Sequence, residues 1–160
     1  DSFINSSPKS LDNVFNIFKK KFNNSDLKLT ICKGDLRDKQ FVEEVFLDIY
    51  KVNQKIDGVI HFAGLKSVLE SQRKPLNYWH NNVLGALNLL ETMNSYQCIN
   101  FLFSSSATVY AQTNNLNLNL NEDSELGPLN PYGDTKFTVE KLLEDIIKSQ
   151  NNKCKFASLR

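Results

Sequence analysis

The chain has 160 residues, a formal net charge of +1 and 41% hydrophobic residues. This length and apolar content suffice for one globular domain with a substantial core, and the near-neutral charge gives no reason to expect a nucleic acid or an anionic membrane as a partner. No apolar run approaches the roughly 20 residues that a membrane span needs. The three cysteines, Cys32, Cys98 and Cys154, form no C-x-x-C pair, which predicts reduced thiols in a cytoplasmic protein.

The first third of the chain predicts two helices around one strand. Apolar residues recur at helical spacing over residues 11–22, after Ser7 and a proline that suit the start of a helix. The segment 27–33, LKLTICK, alternates apolar and polar residues as a half-buried strand does. Asp38 then stands at the N-cap of a second helix.

The rest of the chain alternates between strands and helices. Two of the strands are short continuous apolar runs, which are typical of strands covered on both faces. Strands alternating with helices predict an α/β fold with a doubly wound parallel sheet. In chain order the elements are a strand at Val59–Ala63, a helix at 76–93, a strand at 99–103, an Asn-rich loop, a helix at 131–148 and a last strand at 155–160.

Polar residues follow each predicted strand at the point where it ends. Asp35 follows the first strand, Gly64 and Lys66 follow the second, and residues 104–106 with Thr108 follow the third. In open parallel sheets, ligands bind beyond the carboxyl ends of the strands. The sequence therefore predicts a binding site at this edge, although each residue taken alone could equally begin a loop or cap a helix.

Tyr132 and Lys136 lie four residues apart at the start of the last predicted helix. That spacing puts them about 40° apart in azimuth and about 6 Å apart along the axis. An ammonium at that distance favours the ionised phenol and would prepare Tyr132 as a general base. The alternative is a solvent-facing pair of side chains without a role, and the spacing does not decide between the two.

The segments GDLRD, HFAGLK, FSSSATVY and NPYGDTKFTVEKLL carry a family resemblance. On these segments the chain resembles the UDP-glucose 4-epimerase family of extended short-chain dehydrogenases/reductases over essentially its whole length. The resemblance implies that residues 1–160 are a partial NAD-binding Rossmann domain. It also implies that the glycine-rich loop with its strand would precede Asp1 and that a substrate domain would follow Arg160. The 160 residues alone are therefore expected to be inactive and to fold poorly.

The resemblance also implies roles for individual residues. Tyr132 is similar to the base of that family, Lys136 to its ribose-binding partner, and Ser106 to a hydroxyl that relays the proton. Contacts with the sugar fall to Lys66, Ser106, Thr108 and Tyr132. Besides Tyr132 and Lys136, the residues implied to contact NAD are Asp1, Ser2, Asn5, Ser6, Asp35, Leu36, Phe62, Ala63, Gly64, Lys66, Asn81 and Ser104.

The activity implied is the interconversion of UDP-glucose and UDP-galactose through transient oxidation at the sugar C4, in a homodimer with bound NAD. A UDP-glucuronate or other nucleotide-sugar 4-epimerase, and a catalytically idle relative, stay open. A 4,6-dehydratase is disfavoured because Ala107 and Thr108 stand where such enzymes carry an acidic pair. No metal site is expected, since neither His61 nor His80 has a carboxylate or a cysteine at ligand spacing.

Overall fold

The computed structural model describes residues 1–22, 29–52, 54–112, 119–149 and 154–160. The chain divides into two compact units, residues 1–35 and residues 36–160. None of the helices in the described ranges combines the length and the apolar character that crossing a bilayer requires.

The first unit contains helix α1, Lys9–Lys21. Its predicted apolar stripe is present, with the rings of Phe18 and Phe22 4.8 Å apart, but no residue of α1 is buried. The hydroxyl of Ser7 accepts a hydrogen bond from the backbone N–H of Lys9 at 3.4 Å, so the predicted start of the helix is confirmed to within a residue.

The strand predicted at 27–33 is wrong over the part that is described, residues 29–33, which form no strand. Its first two residues lie outside the described ranges. A strand needs a ladder of backbone hydrogen bonds to a neighbour. Among the described residues, the backbone hydrogen bonds between residues 32–34 and the start of the chain involve Asp1, whose amino group donates to the carbonyl of Cys32 at 3.0 Å and whose carbonyl accepts from the N–H of Gly34 at 3.1 Å. One residue cannot extend a ladder.

The second unit is built on a three-stranded parallel sheet, as the alternation of strands and helices predicts. Its strands are β1, Val59–His61, β2, Asn100–Ser104, and β3, Lys155–Leu159, in the order β1-β2-β3. The register pairs Val59 with Phe101, and Phe101 with Phe156. These three side chains therefore share one face of the sheet.

Helices connect and cover these strands. Helix α2 begins where Asp38 accepts a hydrogen bond from the backbone N–H of Phe41 at 3.2 Å, which confirms the predicted cap. The long predicted helix at 76–93 is present but contains a π-helical turn. In chain order the elements are α2, Lys39–Lys51, α3, Val68–Arg73, α4, Pro75–Tyr78, the π-helical turn Trp79–Leu84, α5, Gly85–Ser95, a 3-10 turn at Ala107–Val109, and α6, Pro131–Ser149.

The core lies between one face of the sheet and helices α2, α5 and α6. Right-handed crossovers between strands in consecutive order place their helices on the same side, and α5 and α6 follow that rule. The opposite face was predicted to be covered as well, but Ile60 on that face is 61% exposed. The buried residues of the core cluster are Val42, Phe46, Ala86, Leu89, Leu90, Met93, Cys98, Phe101, Phe103, Val139 and Leu143.

Candidate active site at the carboxyl edge of the sheet

Tyr132 and Lys136 lie in the first two turns of α6. Asn130 begins this helix, since its side-chain oxygen accepts a hydrogen bond from the backbone N–H of Gly133 at 2.9 Å, and Pro131 suits the first helical position. Tyr132 is 8% exposed and Lys136 is 5% exposed. The alternative of a solvent-facing pair is therefore wrong.

The ammonium of Lys136 joins α6 to the end of β2. Its Nζ donates a hydrogen bond to the carbonyl of Ser104 at 2.7 Å and lies 4.7 Å from the centre of the Phe103 ring. Because burial disfavours the charged form, the pKa of Lys136 is lowered to about 8. Lys136 therefore remains mostly protonated near pH 7 but releases its proton more readily than an exposed lysine does.

His61 lies beside this lysine and is a core residue, as the sequence predicts. Its imidazole is 4% exposed and stacks on Phe103 with ring centres 5.7 Å apart. Burial, and then the charge of Lys136, lower the pKa of His61 to about 4. The imidazole is therefore neutral near pH 7 and adds no second cation to the site.

The serine-rich turn after β2 packs directly against the start of α6. The hydroxyl of Ser106 accepts hydrogen bonds from the backbone N–H of Thr108 at 3.2 Å and from its hydroxyl at 3.0 Å. A Cβ at Gly133 would lie 2.6 Å from the carbonyl oxygen of Thr108. Glycine at position 133 thus lets the helix that carries Tyr132 approach the turn that carries Ser106.

The turn after β1 brings backbone to the same place. Gly64 has a φ of +153°, a conformation that favours glycine. A Cβ there would lie 3.0 Å from the side-chain oxygen of Asn82 and 3.7 Å from Nζ of Lys136. The predicted edges of β1 and β2 therefore do meet, with Lys136 between them.

Asn82, in the π-helical turn, connects these parts and is absent from the predicted site. Its side-chain oxygen accepts from the N–H of Leu65 at 2.8 Å, and its amide donates to the carbonyl of Leu65 and to the hydroxyl of Thr135, both at 3.0 Å. That hydroxyl donates to the carbonyl of Tyr132 at 2.7 Å. The signal in the sequence was a pair of asparagines within an apolar helix, and π-helical turns are frequent at functional sites.

The other predicted site residues in the second unit are less enclosed. Phe62 is 71% exposed, Ala63 and Lys66 are exposed, and Asn81 is half-buried. Leu36 is half-buried, and its carbonyl accepts a hydrogen bond from the buried amide of Asn88 at 2.9 Å. The structure brings Gly64, Ser104, Ser106, Thr108, Tyr132 and Lys136 together.

The remaining predicted residues belong to the first unit: Asp35, and a cluster at the start of the chain. The carboxylate of Asp1 accepts hydrogen bonds from the N–H of Phe3 at 2.7 Å and from the hydroxyl of Ser6 at 3.0 Å. Asn5 is exposed and Ser2 is half-buried. This carboxylate is thus held in place at the surface of its unit.

Replacing Lys136 with Met is expected to remove a pH dependence of stability. The folded pKa of about 8 lies below the ordinary 10.5, so the unfolded chain binds the proton more tightly. The contribution of Lys136 to the free energy of unfolding is most favourable above pH 10.5. It decreases as the pH falls and is about 3 kcal/mol lower once the pH has fallen through 8. Urea unfolding at these two pH values, compared between the wild type and Lys136→Met, measures it.

Lys141→Met is the matched control, because Lys141 lies on the same helix with its side chain 50% exposed. Its loss should leave the difference between the two pH values close to that of the wild type. Equal pH dependence in the wild type and in Lys136→Met would contradict the prediction.

A family model described as GDP-mannose 4,6 dehydratase matches residues 2–158 of the chain. The chain is 41% identical over 151 residues to UDP-glucose 4-epimerase 2 of Arabidopsis thaliana and 40% identical over 151 residues to the UDP-glucose 4-epimerase of Haemophilus influenzae. Each match covers 94% of this chain and 40% of the relative. The chain thus spans about 40% of the length of these curated relatives.

Among solved structures, the chain is similar to the UDP-glucose 4-epimerase of Bifidobacterium longum in complex with NAD+ and UDP, with a TM-score of 0.84 and 36% identity. That match covers 100% of this chain and 44% of the other. The predicted Rossmann-type fold is confirmed by this likeness. Since the family model covers nearly all of its length, the chain belongs to the family described as GDP-mannose 4,6 dehydratase, and it is similar to UDP-glucose 4-epimerases.

Proposed function

We propose that the protein interconverts UDP-glucose and UDP-galactose by transient oxidation at the sugar C4, with residues 1–160 forming part of its NAD-binding Rossmann domain. The observation that carries the proposal is the buried lysine at the sheet edge. Lys136 bridges from α6 to the carbonyl of Ser104 while lying against the Gly64 turn, with Tyr132 one helical turn before it. The names of the relatives agree with this activity.

The residues present fit NAD as the cofactor. Gly64 lets the backbone of the turn after β1 lie close to Asn82 and to the ammonium of Lys136, which can donate to ribose hydroxyls. NAD, when bound, supplies a nicotinamide that takes up and returns the hydrogen at the sugar C4. The Bifidobacterium longum epimerase to which the chain is similar was crystallised with NAD+.

The chain's own residues hold and move the proton. Tyr132 removes the proton of the sugar 4-hydroxyl and returns it after the sugar has turned over. Lys136 stabilises the ionised phenol and binds the ribose, and the hydroxyl of Ser106 relays the proton across the gap. Thr108, whose hydroxyl already contacts Ser106, and Lys66 bind the sugar nucleotide.

Other residues are proposed to contact the cofactor. The carboxylate of Asp1, held by Phe3 and Ser6, accepts from the adenosine ribose. The other residues proposed to contact NAD are Ser2, Asn5, Ser6, Asp35, Leu36, Phe62, Ala63, Asn81 and Ser104.

Epimerisation is favoured over the dehydration that the name of the family model describes. Elimination of water from a sugar needs an acid to protonate the departing hydroxyl. Ala107 and Thr108, on the turn after β2, supply no carboxyl group. Two of the relatives have names that pair UDP-glucose with UDP-xylose 4-epimerase activity, so other UDP-sugars belong in the test.

The test uses the protein from the complete open reading frame that contains these residues. We expect it to retain NAD through purification and to convert UDP-galactose to UDP-glucose, with UDP-xylose and UDP-glucuronate assayed beside it. Residues 1–160 expressed alone should do neither. If the protein converts only UDP-glucuronate, that sugar nucleotide is its substrate in place of UDP-glucose and UDP-galactose. If it converts no UDP-sugar, the proposal is overturned in favour of a catalytically idle relative.

We further infer a homodimer in the cytoplasm. Exposed apolar side chains on α4 and the adjoining π-helical turn support a self-association surface, since Leu76 is 74% and Leu84 is 40% exposed. Cys98 is buried and burial raises its thiol pKa, which suits a reducing compartment. Light scattering on the full-length protein tests the first inference, and a monomer at micromolar concentration would contradict it.

A further inference from the structure

Tyr78, the last residue of α4, is fully buried and extends a helix cap. In the usual capping box, a glutamate three residues after the N-cap reaches back to the backbone N–H of the N-cap residue. Here the hydroxyl of Tyr78 takes that place: it accepts from the N–H of Ser67 at 3.0 Å and donates to the carboxylate of Glu70 at 3.2 Å. Ser67 completes the box, since its hydroxyl accepts from the N–H of Glu70 at 3.3 Å.

The ring of the same side chain touches the proposed base. The rings of Tyr78 and Tyr132 meet edge to face, with centres 6.4 Å apart and planes at 79°. Such pairs contribute beyond the area they bury and fix the orientation of both rings. Tyr78 therefore contacts, at one end, the cap that follows Lys66 in the chain and, at the other, Tyr132 on α6.

Tyr78 does not compete with Tyr132 for the proton. Burial first, and the neighbouring carboxylate of Glu70, raise the pKa of Tyr78, although the N–H of Ser67 works in the opposite direction. The phenol thus stays protonated and donates to Glu70. A neutral side chain with both hydrogen-bonding functions used is suited to hold its neighbours rather than to react.

We propose that Tyr78 is a positioning residue that sets the distance between Lys66 and the Tyr132 phenol. The inference rests on the proposed function, because it assigns the sugar nucleotide to the space between these two residues. The two contacts of Tyr78 act separately: its hydroxyl fixes the segment that carries Lys66, and its ring fixes the ring of Tyr132. Loss of the hydroxyl should weaken substrate binding, and loss of the ring should slow the chemical step.

Two substitutions in the full-length protein separate these contacts. Tyr78→Phe keeps the ring and is expected to raise the KM for UDP-galactose about fivefold or more while kcat changes less than about twofold. Tyr78→Met removes the ring and should lower kcat at least about tenfold, because a small displacement of a reacting group is costly. Because Phe restores the ring that Met lacks, a kcat of Tyr78→Phe close to that of the wild type would show that the ring contact is what the chemical step needs.

Tyr50→Phe is the matched control. The Tyr50 hydroxyl donates to the carbonyl of Tyr96 and its ring packs on Tyr96 with centres 4.9 Å apart, in the α2 and α5 region of the core. This variant should lower the melting temperature and leave KM and kcat unchanged. An unchanged KM in Tyr78→Phe, or an equal shift of KM in Tyr50→Phe, would overturn the inference. If the wild type converts no UDP-sugar, the proposed function fails and the inference falls with it.

Discussion

Tyr132→Phe is expected to lower the rate of UDP-galactose conversion by about two to four orders of magnitude in the full-length protein, with little change in stability. Phe keeps the ring that packs against Tyr78 and removes only the hydroxyl that exchanges the proton. Because Tyr132 is only 8% exposed, water has little access to the site and cannot readily accept the proton in place of the hydroxyl. Initial rates under saturating UDP-galactose, together with NAD retained per subunit, measure the effect.

The serines after β2 provide internal controls for this experiment. Ser106→Ala should lower the rate as well, because its hydroxyl is the proposed relay and organises Thr108. Ser105→Ala should leave the rate unchanged, since the Ser105 hydroxyl is buried and finds no hydrogen-bond partner in the part of the chain that the structure describes. Removing such a group costs little or stabilises slightly. More than a tenth of wild-type activity in Tyr132→Phe, about 1.4 kcal/mol in barrier, would exclude the phenol as the base.

The parallel sheet and its helices were predictable because the pattern is local. β2, with its apolar run ending in serines, and α6, with Asn130 and Pro131 at its start, lie within a residue or two of where the sequence placed them. The strand at 27–33 failed because a strand depends on a neighbour that periodicity does not supply. The exposure of Ile60 has the same cause, since an apolar run reports a preference for burial and does not name the element that buries it.

In the candidate site, too, features of the local sequence could be predicted and features of long-range packing could not. Tyr132, Lys136 and the serine turn were placed at the sheet edge by their positions in the chain, and their roles were taken from the family resemblance. The burial of Lys136 against Phe103 is a property of packing that neither could show. Asn82 was missed because hydropathy treats asparagine as polar, so the apolar pattern of the helix predicted at 76–93 gives no reason to place this residue in the interior. In the structure Trp79 is 36% exposed and Asn82 is 3% exposed, since its partners Leu65 and Thr135, 17 and 53 residues away, satisfy the amide.

The ion pair between Glu140 and Arg160 supports the helix that carries Lys136. Glu140 lies one turn after Lys136 and is 4% exposed. The guanidinium donates to its carboxylate at 2.7 Å from one terminal nitrogen and at 3.2 Å from Nε. Arg160 also donates to the carbonyl of Glu122 at 3.2 Å and lies 5.3 Å from the centre of the Tyr110 ring. Hydrogen bonding to Glu140, above all, raises the pKa of Arg160 further above its usual range.

Glu140→Gln is therefore expected to destabilise the full-length protein by about 2–3 kcal/mol, because the buried carboxylate that accepts charge-assisted hydrogen bonds from Arg160 is lost. The double variant Glu140→Leu with Arg160→Leu should recover much of that loss, since replacing both partners by apolar side chains of similar volume is often nearly neutral. Urea unfolding followed by circular dichroism gives both values under the same conditions.

Glu144→Gln, on the next turn of the same helix, is the matched control. Its ion pair with Lys141 has an N–O distance of 2.7 Å, as short as that of the buried pair, but the two side chains are 47% and 50% exposed. Water and salt screen such a pair, so the same substitution should cost less than about 1 kcal/mol. Equal losses for Glu140→Gln and Glu144→Gln would show that burial adds nothing to the Arg160 pair. If Glu140→Gln loses much more unfolding free energy than Glu144→Gln, and the double variant recovers much of that loss, the ion pair between Glu140 and Arg160 stabilises this part of α6.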